Sequence, residues 1–571
     1  MHSFMSIRSV ALFATLFVMY CCQVFADITP SYCPQGFKQQ YFPKHEVRAV
    51  WLTTIGGLDW PSSYARSTEG ILRQKKELAD ILDRLKDTGI NTVLFQTRIR
   101  GTVVYPSQYE PWDGCMSGIP GRSPGYDPLL FAVDECHKRG MEIQAWVVTV
   151  PVGKWNGFGC KALRLRNKEI LMHDKGDGFI NPEKPQAAQY IASICREIAE
   201  RYDVDGIHLD YIRYPENMRL DITRSHAREN ITRIVRCVYK AVKDIKPWVK
   251  ISCSPIGKFN DLARYSSRGW NAFDKGCQDV EAWMREGLMD QIYPMMYFRD
   301  NNFFPFAVDW MERCNGKTVV SGLGIYFLSP KEGNWQLTDV TRQMYTLRQM
   351  GLGFAFFRSR FFTENTKGLY DFTSRHFSPF LSLVPPMAWY GTKAPDAPST
   401  LSVRNVGGYD IVTWDEGTSH GNSPYLMYNV YASNTYPVDT ENAANLVVQR
   451  LRDKQTAFKG NKTGTMYYAV TAIDRYGVES EARQMEACRT LQVPSSFIKN
   501  DGKHMQLPSK GNVLDADYIV IETLEGCNVA TLPYRGTNAD IRRIPDGMYM
   551  VRSLNKKGIT HKLGYIIIRR Q

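Results

Sequence analysis

The feature that most constrains this chain is a repeated alternation of apolar, strand-like runs and helical patterns from about Glu46 to Phe377. Val47–Ile55 is an apolar, β-rich run. Ile71–Thr88 then repeats apolar residues at helical spacing through Ile71, Leu78, Ile81, Leu82 and Leu85, and Gly89 stops it. Further strands are expected at Ile90–Gln96, Met141–Val150, Gly206–Tyr211, Val249–Ser254, Asp290–Tyr297, Thr318–Tyr326 and Gly353–Phe357. Helical patterns at Pro128–Arg139, Pro185–Tyr202, Asn230–Lys243, Val280–Glu286, Pro305–Arg313 and Val340–Met350 separate them. Strands apolar on both faces and joined through helices call for a parallel sheet covered on both sides. Eight such units over roughly 330 residues suit a closed (β/α)8 TIM barrel of the α/β class. An open doubly wound sheet would want a glycine-rich phosphate loop after the first strand, and Thr54-Ile55-Gly56-Gly57-Leu58 lacks the GxGxxG spacing.

At 571 residues the chain is too long for one ordinary domain. Residues 1–26 read as a secretion signal: Arg8 supplies the charge, Val10–Tyr20 is an apolar run too short to span a bilayer, and Val24-Phe25-Ala26 offers a cleavage site. A lipoprotein signal using Cys21 or Cys22 fits less well, because Tyr20 stands where a small residue is wanted. No later stretch is apolar for about 18 residues, so no transmembrane segment is expected. The barrel is assigned to 40–385. After Pro385-Pro386 come short alternating strands with a buried-type Trp414, then Tyr428-Asn429-Val430-Tyr431 and Tyr467–Asp474. This block, 394–490, resembles a fibronectin type III domain. A third all-β block, 495–571, ends in Asp546-Gly547-Met548-Tyr549-Met550-Val551 and Tyr565–Ile568, and resembles the C-terminal β-sandwich tails of secreted Bacteroidetes proteins.

The net charge of +13 comes from scattered residues, which suits a solvated surface or affinity for an anionic polymer. With an export signal and no recognisable module, nucleic acid is not an expected partner. Thirteen cysteines without a CxxC suggest neither a zinc site nor a redox motif. Cys136, Cys195, Cys237 and Cys253 fall in element patterns as core thiols, and the loop cysteines Cys115 and Cys160 are candidates for a disulfide. There is no HExxH or HxH, His173-Asp174 reads as a solvated loop, and no metal or cofactor is expected.

Catalytic groups in such a barrel sit at the C-terminal strand ends and on the loops that follow. The fourth strand ends Asp205-Gly206-Ile207-His208-Leu209-Asp210-Tyr211-Ile212-Arg213-Tyr214-Pro215, and period two puts His208 and Asp210 on the interior face. A His and an Asp there cost free energy unless they are paired or functional, which makes His208 a candidate substrate-binding residue. Asp210 is therefore the leading catalytic carboxylate, the alternative being a buried ion pair with an arginine, and Tyr211 and Arg213 are neighbouring donors. The second strand aligns Gln96, Arg98 and Arg100 on one face, with Arg98 a candidate clamp for Asp210 or substrate. Tyr297 ends the sixth strand. The aromatics Trp60 and Trp155 follow the first and third strands, where they could stack on sugar rings or pack into loops. Glycoside hydrolysis normally takes two carboxyl groups. Asp300, Glu216 and Glu364 are candidates for the second, Asp300 first.

Beyond these single residues, the first 380 or so resemble the glycosyl hydrolase-like 10 family. The matching pieces are Arg48-Ala49-Val50-Trp51-Leu52-Thr53, Gly89-Ile90-Asn91-Thr92-Val93, Gln96-Thr97-Arg98, Tyr126-Asp127-Pro128-Leu129, Asn181-Pro182 and Asp205–Pro215. The resemblance implies a glycosidase of the bacterial cell envelope, exported to the periplasm or surface of a Gram-negative cell. Peptidoglycan or another N-acetylhexosamine polymer is the first substrate expectation. A dietary or host polysaccharide, or a non-catalytic carbohydrate-binding barrel, are the alternatives. Chitinase-type barrels carry Asp-Gly-x-Asp-x-Asp-x-Glu on the fourth strand. Here Asp210 keeps the middle carboxylate, while Ile212 replaces the terminal acid and His208 the preceding Asp. An acid must therefore come from elsewhere.

Overall fold

The computed structural model describes residues 41–215, 218–263, 269–406, 409–459, 466–485, 498–507, 516–524, 526–534, 538–555 and 560–568. The proposed signal peptide and Glu216 lie outside them. Eight parallel strands close into a barrel: β1 Arg48–Leu52, β2 Thr92–Arg98, β3 Glu142–Val148, β7 Gly206–Asp210, β8 Lys250–Cys253, β9 Gln291–Ile292, β10 Thr318–Leu323 and β11 Gly353–Phe356. β11 pairs with β1 to complete the ring. All eight sequence-derived strands are present, and the sixth is shorter than its pattern. Pro294 has no N–H to give the ladder, so β9 stops at Ile292 and only isolated bridges through Met295 continue it.

The first barrel helix, α1 Thr68–Lys86, starts where the Ser67 side chain accepts from Gly70 N, and its buried stripe includes Leu78, Leu82 and Leu85. The second, α2 Pro128–Lys138, is capped by Asp127 and has proline in its first turn. Strand residues facing the helices, such as Ile207 and Leu209, join the large outer core. Those facing inward form a separate cluster that includes Trp51, Leu94, Trp146, Tyr293 and Val320.

One excursion has no counterpart in the sequence reading. Between β3 and β7 a small sheet forms in the order β4 Pro151–Lys154, β6 Asp177–Ile180, β5 Leu171–Asp174. His173 and Asp174, read as a loop, lie on β5, and His173 packs on Trp155 with ring centroids 4.5 Å apart. Cys115 and Cys160 are buried free thiols rather than a disulfide.

Beyond the barrel, a three-stranded and a four-stranded sheet enclose their own core with Trp414 inside it. A further four-stranded sheet contains the strands Gly547–Leu554 and Thr560–Ile568, which carry the two C-terminal strand patterns expected from sequence. The seven-stranded pair is fastened to the barrel's N-terminal end by charge. Arg450 donates to Glu142 Oε1 (2.9 Å) and Asp205 Oδ1 (2.5 Å), while Arg475 donates to Asp205 Oδ1 (2.8 Å). His137 meets Asp205 Oδ2 at 2.9 Å, and Lys250 pairs with Glu142. Burial pushes the Asp205 carboxyl up, but Arg450 and Arg475 hold it well below the usual range. That sign makes its contribution full above the unfolded carboxylate pKa and lost as pH falls through the folded one. Replacing both Arg450 and Arg475 by alanine leaves buried carboxylates short of partners. We expect a loss of about 3–5 kcal/mol in urea unfolding at pH 7 and a shallower acid-side decline of stability. Unchanged unfolding would show that the latch carries no load.

Candidate active site

β7 ends at the mouth of the barrel with Asp210, which is 6% exposed. Ser254 Oγ and Tyr211 N donate to its Oδ1 at 2.7 and 2.8 Å, and Trp146 Nε1 donates to Oδ2 at 3.0 Å. Each carboxylate oxygen has room for about two donors. Oδ1 is thus filled, and Oδ2 keeps one position. Tyr211 itself takes φ = +50°, a costly conformation for a residue with a Cβ and one that concentrates at functional sites. The turn carries the Tyr211 ring under Arg213, whose guanidinium lies 3.9 Å from the ring centroid. Burial raises the Asp210 pKa above the ordinary aspartate value, while Arg213 and the three donors oppose the rise.

Asp210 opens into a cleft of about 490 Å³ at the C-terminal end of the strands. Gln96, Trp146, Tyr211 and Tyr297 share its lining with Phe179, Phe357, Arg100, Lys154, Asp177 and Arg358. Gln96 Oε1 accepts from Thr54 N and Ile55 N, each at 2.9 Å, so its amide nitrogen is the end left for the cleft. The Tyr297 ring packs against Phe357 and Tyr326. Burial and the nearby Asp210 carboxylate push its hydroxyl pKa well up, which keeps it a proton-bearing donor. Arg358 is aimed by Asp59, which pairs with its guanidinium and also accepts from Thr53 N, Thr53 Oγ1 and Arg360 N. Among the described residues no group of three or more His, Cys, Asp or Glu side chains could hold a metal ion.

Several expected site residues lie elsewhere. Arg98 does not reach Asp210: its guanidinium is taken by Glu110 at 2.8 and 2.6 Å and by the carbonyls of Val148 and Thr149. The cause is a register shift between Gln96 and Arg98 against β3, a bulge that turns the next side chain to the other face. His208 is enclosed one layer below Asp210, accepting from Trp51 Nε1 (3.3 Å) and meeting Ser252 Oγ through Nδ1 (2.8 Å). Burial pushes its pKa down to about 3, so it is a neutral core group rather than a sugar ligand. Trp60 is fully buried on Phe95, its indole N–H donating to Gln74 O. Trp155 packs on His173 and Arg164 and is absent from the cleft wall. Asp300 is exposed at the start of a short 3-10 turn, and Glu364 is ion-paired with Arg360 on an exposed helix end; neither lines the cleft.

Sequence reasoning missed Trp146, Ser254 and Asp177. The first two sit on β3 and just after β8, where inward period-two positions could have singled them out. Asp177 sits on the unanticipated sheet. A second cavity, about 460 Å³, lies between the barrel helices and the β domains, lined by Lys75, His137, Arg452 and Arg552 among others, away from the strand ends.

Fold and cleft define a (β/α)8 barrel with an open cleft at the C-terminal ends of its strands. The glycosyl hydrolase-like 10 family profile matches residues 46–225 and 213–327, from β1 to just past β10. The chain is similar to glycosyl hydrolase YngK of Bacillus subtilis (strain 168), 26% identical over 477 residues, covering 76% of this chain and 92% of that protein. It is also similar to glycosyl hydrolase DigH of Escherichia coli (strain K12), 32% identical over 287 residues. That match covers 44% of this chain and 65% of DigH, so it spans less than two thirds of that relative. Among solved structures, the glycoside hydrolase domain of PgaB (BpsB) from Bordetella bronchiseptica aligns over 58% of this chain and 98% of that one, at 12% identity and a TM-score of 0.39. The profile thus runs over most of the barrel, and both relatives bear the name glycosyl hydrolase.

The environment of the Asp210 carboxyl can be checked by titration. In ¹³C-aspartate spectra assigned with Asp210→Asn, the Asp210 carboxyl should titrate above 3.8, and Arg213→Gln should move the midpoint higher still. A midpoint at or below the free value, unmoved by the arginine, would remove the electrostatic argument.

Proposed function

We propose that this protein is an exported glycoside hydrolase that cleaves glycosidic bonds in a glycan, with Asp210 as its proton donor. One observation carries this: a buried carboxyl with a raised pKa, held by three donors, stands at the floor of a cleft at the catalytic end of a (β/α)8 barrel. Tyr297, Phe357 and Tyr211 offer ring faces and hydroxyls for a sugar, and Gln96 and Arg358 supply donors. The names of YngK and DigH as glycosyl hydrolases support the same reaction class. Arg100, Lys154 and Arg358 on the cleft wall suit a glycan that carries carboxylates, which favours a peptidoglycan strand among N-acetylhexosamine polymers. The apolar run Val10–Tyr20 supports export to the periplasm or cell surface. The two β blocks, 394–490 of fibronectin type III type and 495–571, then serve as a brace for the barrel and a sorting or binding tail.

The test compares wild type with Asp210→Asn on purified peptidoglycan glycan strands and a panel of other polysaccharides, reading released reducing ends. The variant should fold normally and retain less than roughly one-hundredth of the activity, the scale on which a positioned acid contributes. Near-normal cleavage by the variant would overturn the assignment. Glycan binding by the wild type with no reducing ends released from any polymer would favour a lectin-like barrel instead.

A further inference from the structure

We propose that Asp177 is the second catalytic carboxylate, acting as the general base in the cleft that Asp210 also lines; the proposal rests on the glycosidase reading above. Among the described residues, Asp177 and Asp210 are the two carboxylates that line the cleft. Asp59, the nearest alternative after β1, is consumed in holding Thr53, Arg358 and Arg360.

Asp177 is fixed to a wall, not to a loose loop. It is the first residue of β6, directly opposite Lys154 on β4, and the Lys154 ammonium lies 3.0 Å from its carboxylate. β4 begins three residues after β3 ends, and Ile180 at the far end of β6 donates its N–H to Val150 O at 2.8 Å. The sheet is therefore tied to the same strand that supplies Trp146 to Asp210. It is also packed closely underneath: a Cβ on Gly178 would lie 2.4 Å from Cys160 Sγ. Gly153, at φ = +90°, lets β4 pass with its own Cβ position 3.3 Å from Arg100 Cβ.

The two carboxyls differ in environment as an acid and a base must. Asp210 is enclosed, whereas the Asp177 side chain is 37% exposed beside a cation and is open to water. In the step this permits, the bond from the anomeric carbon to the glycosidic oxygen breaks, and the oxygen keeps the electron pair and takes the Asp210 proton. A water oxygen bonds to the anomeric carbon from the other face and gives its proton to Asp177. Solvent then returns a proton to Asp210 and removes one from Asp177, so the net change is addition of one water.

The experiment measures Asp177→Asn, Asp177→Ala, Asp210→Asn and Glu216→Gln in the full chain on the glycan that the wild type cleaves. Both Asp177 variants should lose at least about a hundredfold in kcat with glycan binding retained. Sodium azide should restore turnover of Asp177→Ala with formation of a glycosyl azide, because azide attacks without a proton to lose. It should not restore Asp210→Asn, which lacks the donated proton. Near-normal activity in Asp177→Asn, with Asp210→Asn and Glu216→Gln inactive, would overturn the role of Asp177 and leave the glycosidase reading standing. Loss in Asp177→Ala without azide rescue would reduce Asp177 to a structural residue. A wild type inactive on every glycan would overturn both.

Discussion

The interior of a closed eight-stranded barrel can be filled only by its own side chains, and any polar group placed there must find its partner inside. This chain meets that constraint with a continuous polar layer. Trp51 donates to His208, His208 meets Ser252, Ser252 donates to Gln144, and Gln144 donates to Gln291, to which Tyr293 also donates. With Nε2 of His208 accepting from Trp51, its Nδ1 carries the hydrogen toward Ser252, which fixes a neutral tautomer. Partly satisfied, such a network would destabilise the barrel; fully satisfied, it is rigid. Asp210 stands on this floor, held by Trp146 from β3 and by Ser254 from the end of β8.

The same strand shows how environment separates two chemically identical groups. Asp205, just before β7, is clamped by Arg450 and Arg475 and stays ionised, joining the barrel to the following β domain. Asp210, at the other end, is desolvated and faces the cleft with its pKa raised. One carboxylate serves stability at the N-terminal end of the barrel, and the other is available for chemistry at the C-terminal end. This division matches the general partition of such barrels.

Much of this was legible in the sequence because period and chain order are local properties. The eight strand-and-helix units, the inward face of His208 and Asp210, and the change of character after Pro385-Pro386 follow from spacing alone. What was not legible depended on breaks in that spacing. The bulge after Gln96 turned Arg98 out to Glu110, which a strict alternation cannot foresee. Trp60 and Trp155 follow strands but are drawn into packing, because an aromatic near a strand end carries no mark of which way it folds. The sheet bearing Asp177 is built from strands of four residues with mixed burial, too short to impose a pattern.

The account rests on Asp210 being the group that meets the scissile bond. A crystal structure of the Asp210→Asn variant soaked with a glycan-strand oligosaccharide tests this most directly. The account predicts the sugar in the cleft bounded by Gln96, Tyr297 and Arg358, with a glycosidic oxygen about 3 Å from the residue-210 side chain, the reach of a proton donor. An oligosaccharide seated elsewhere, such as in the interdomain cavity by Lys75 and Arg452, with the barrel cleft empty, would contradict it.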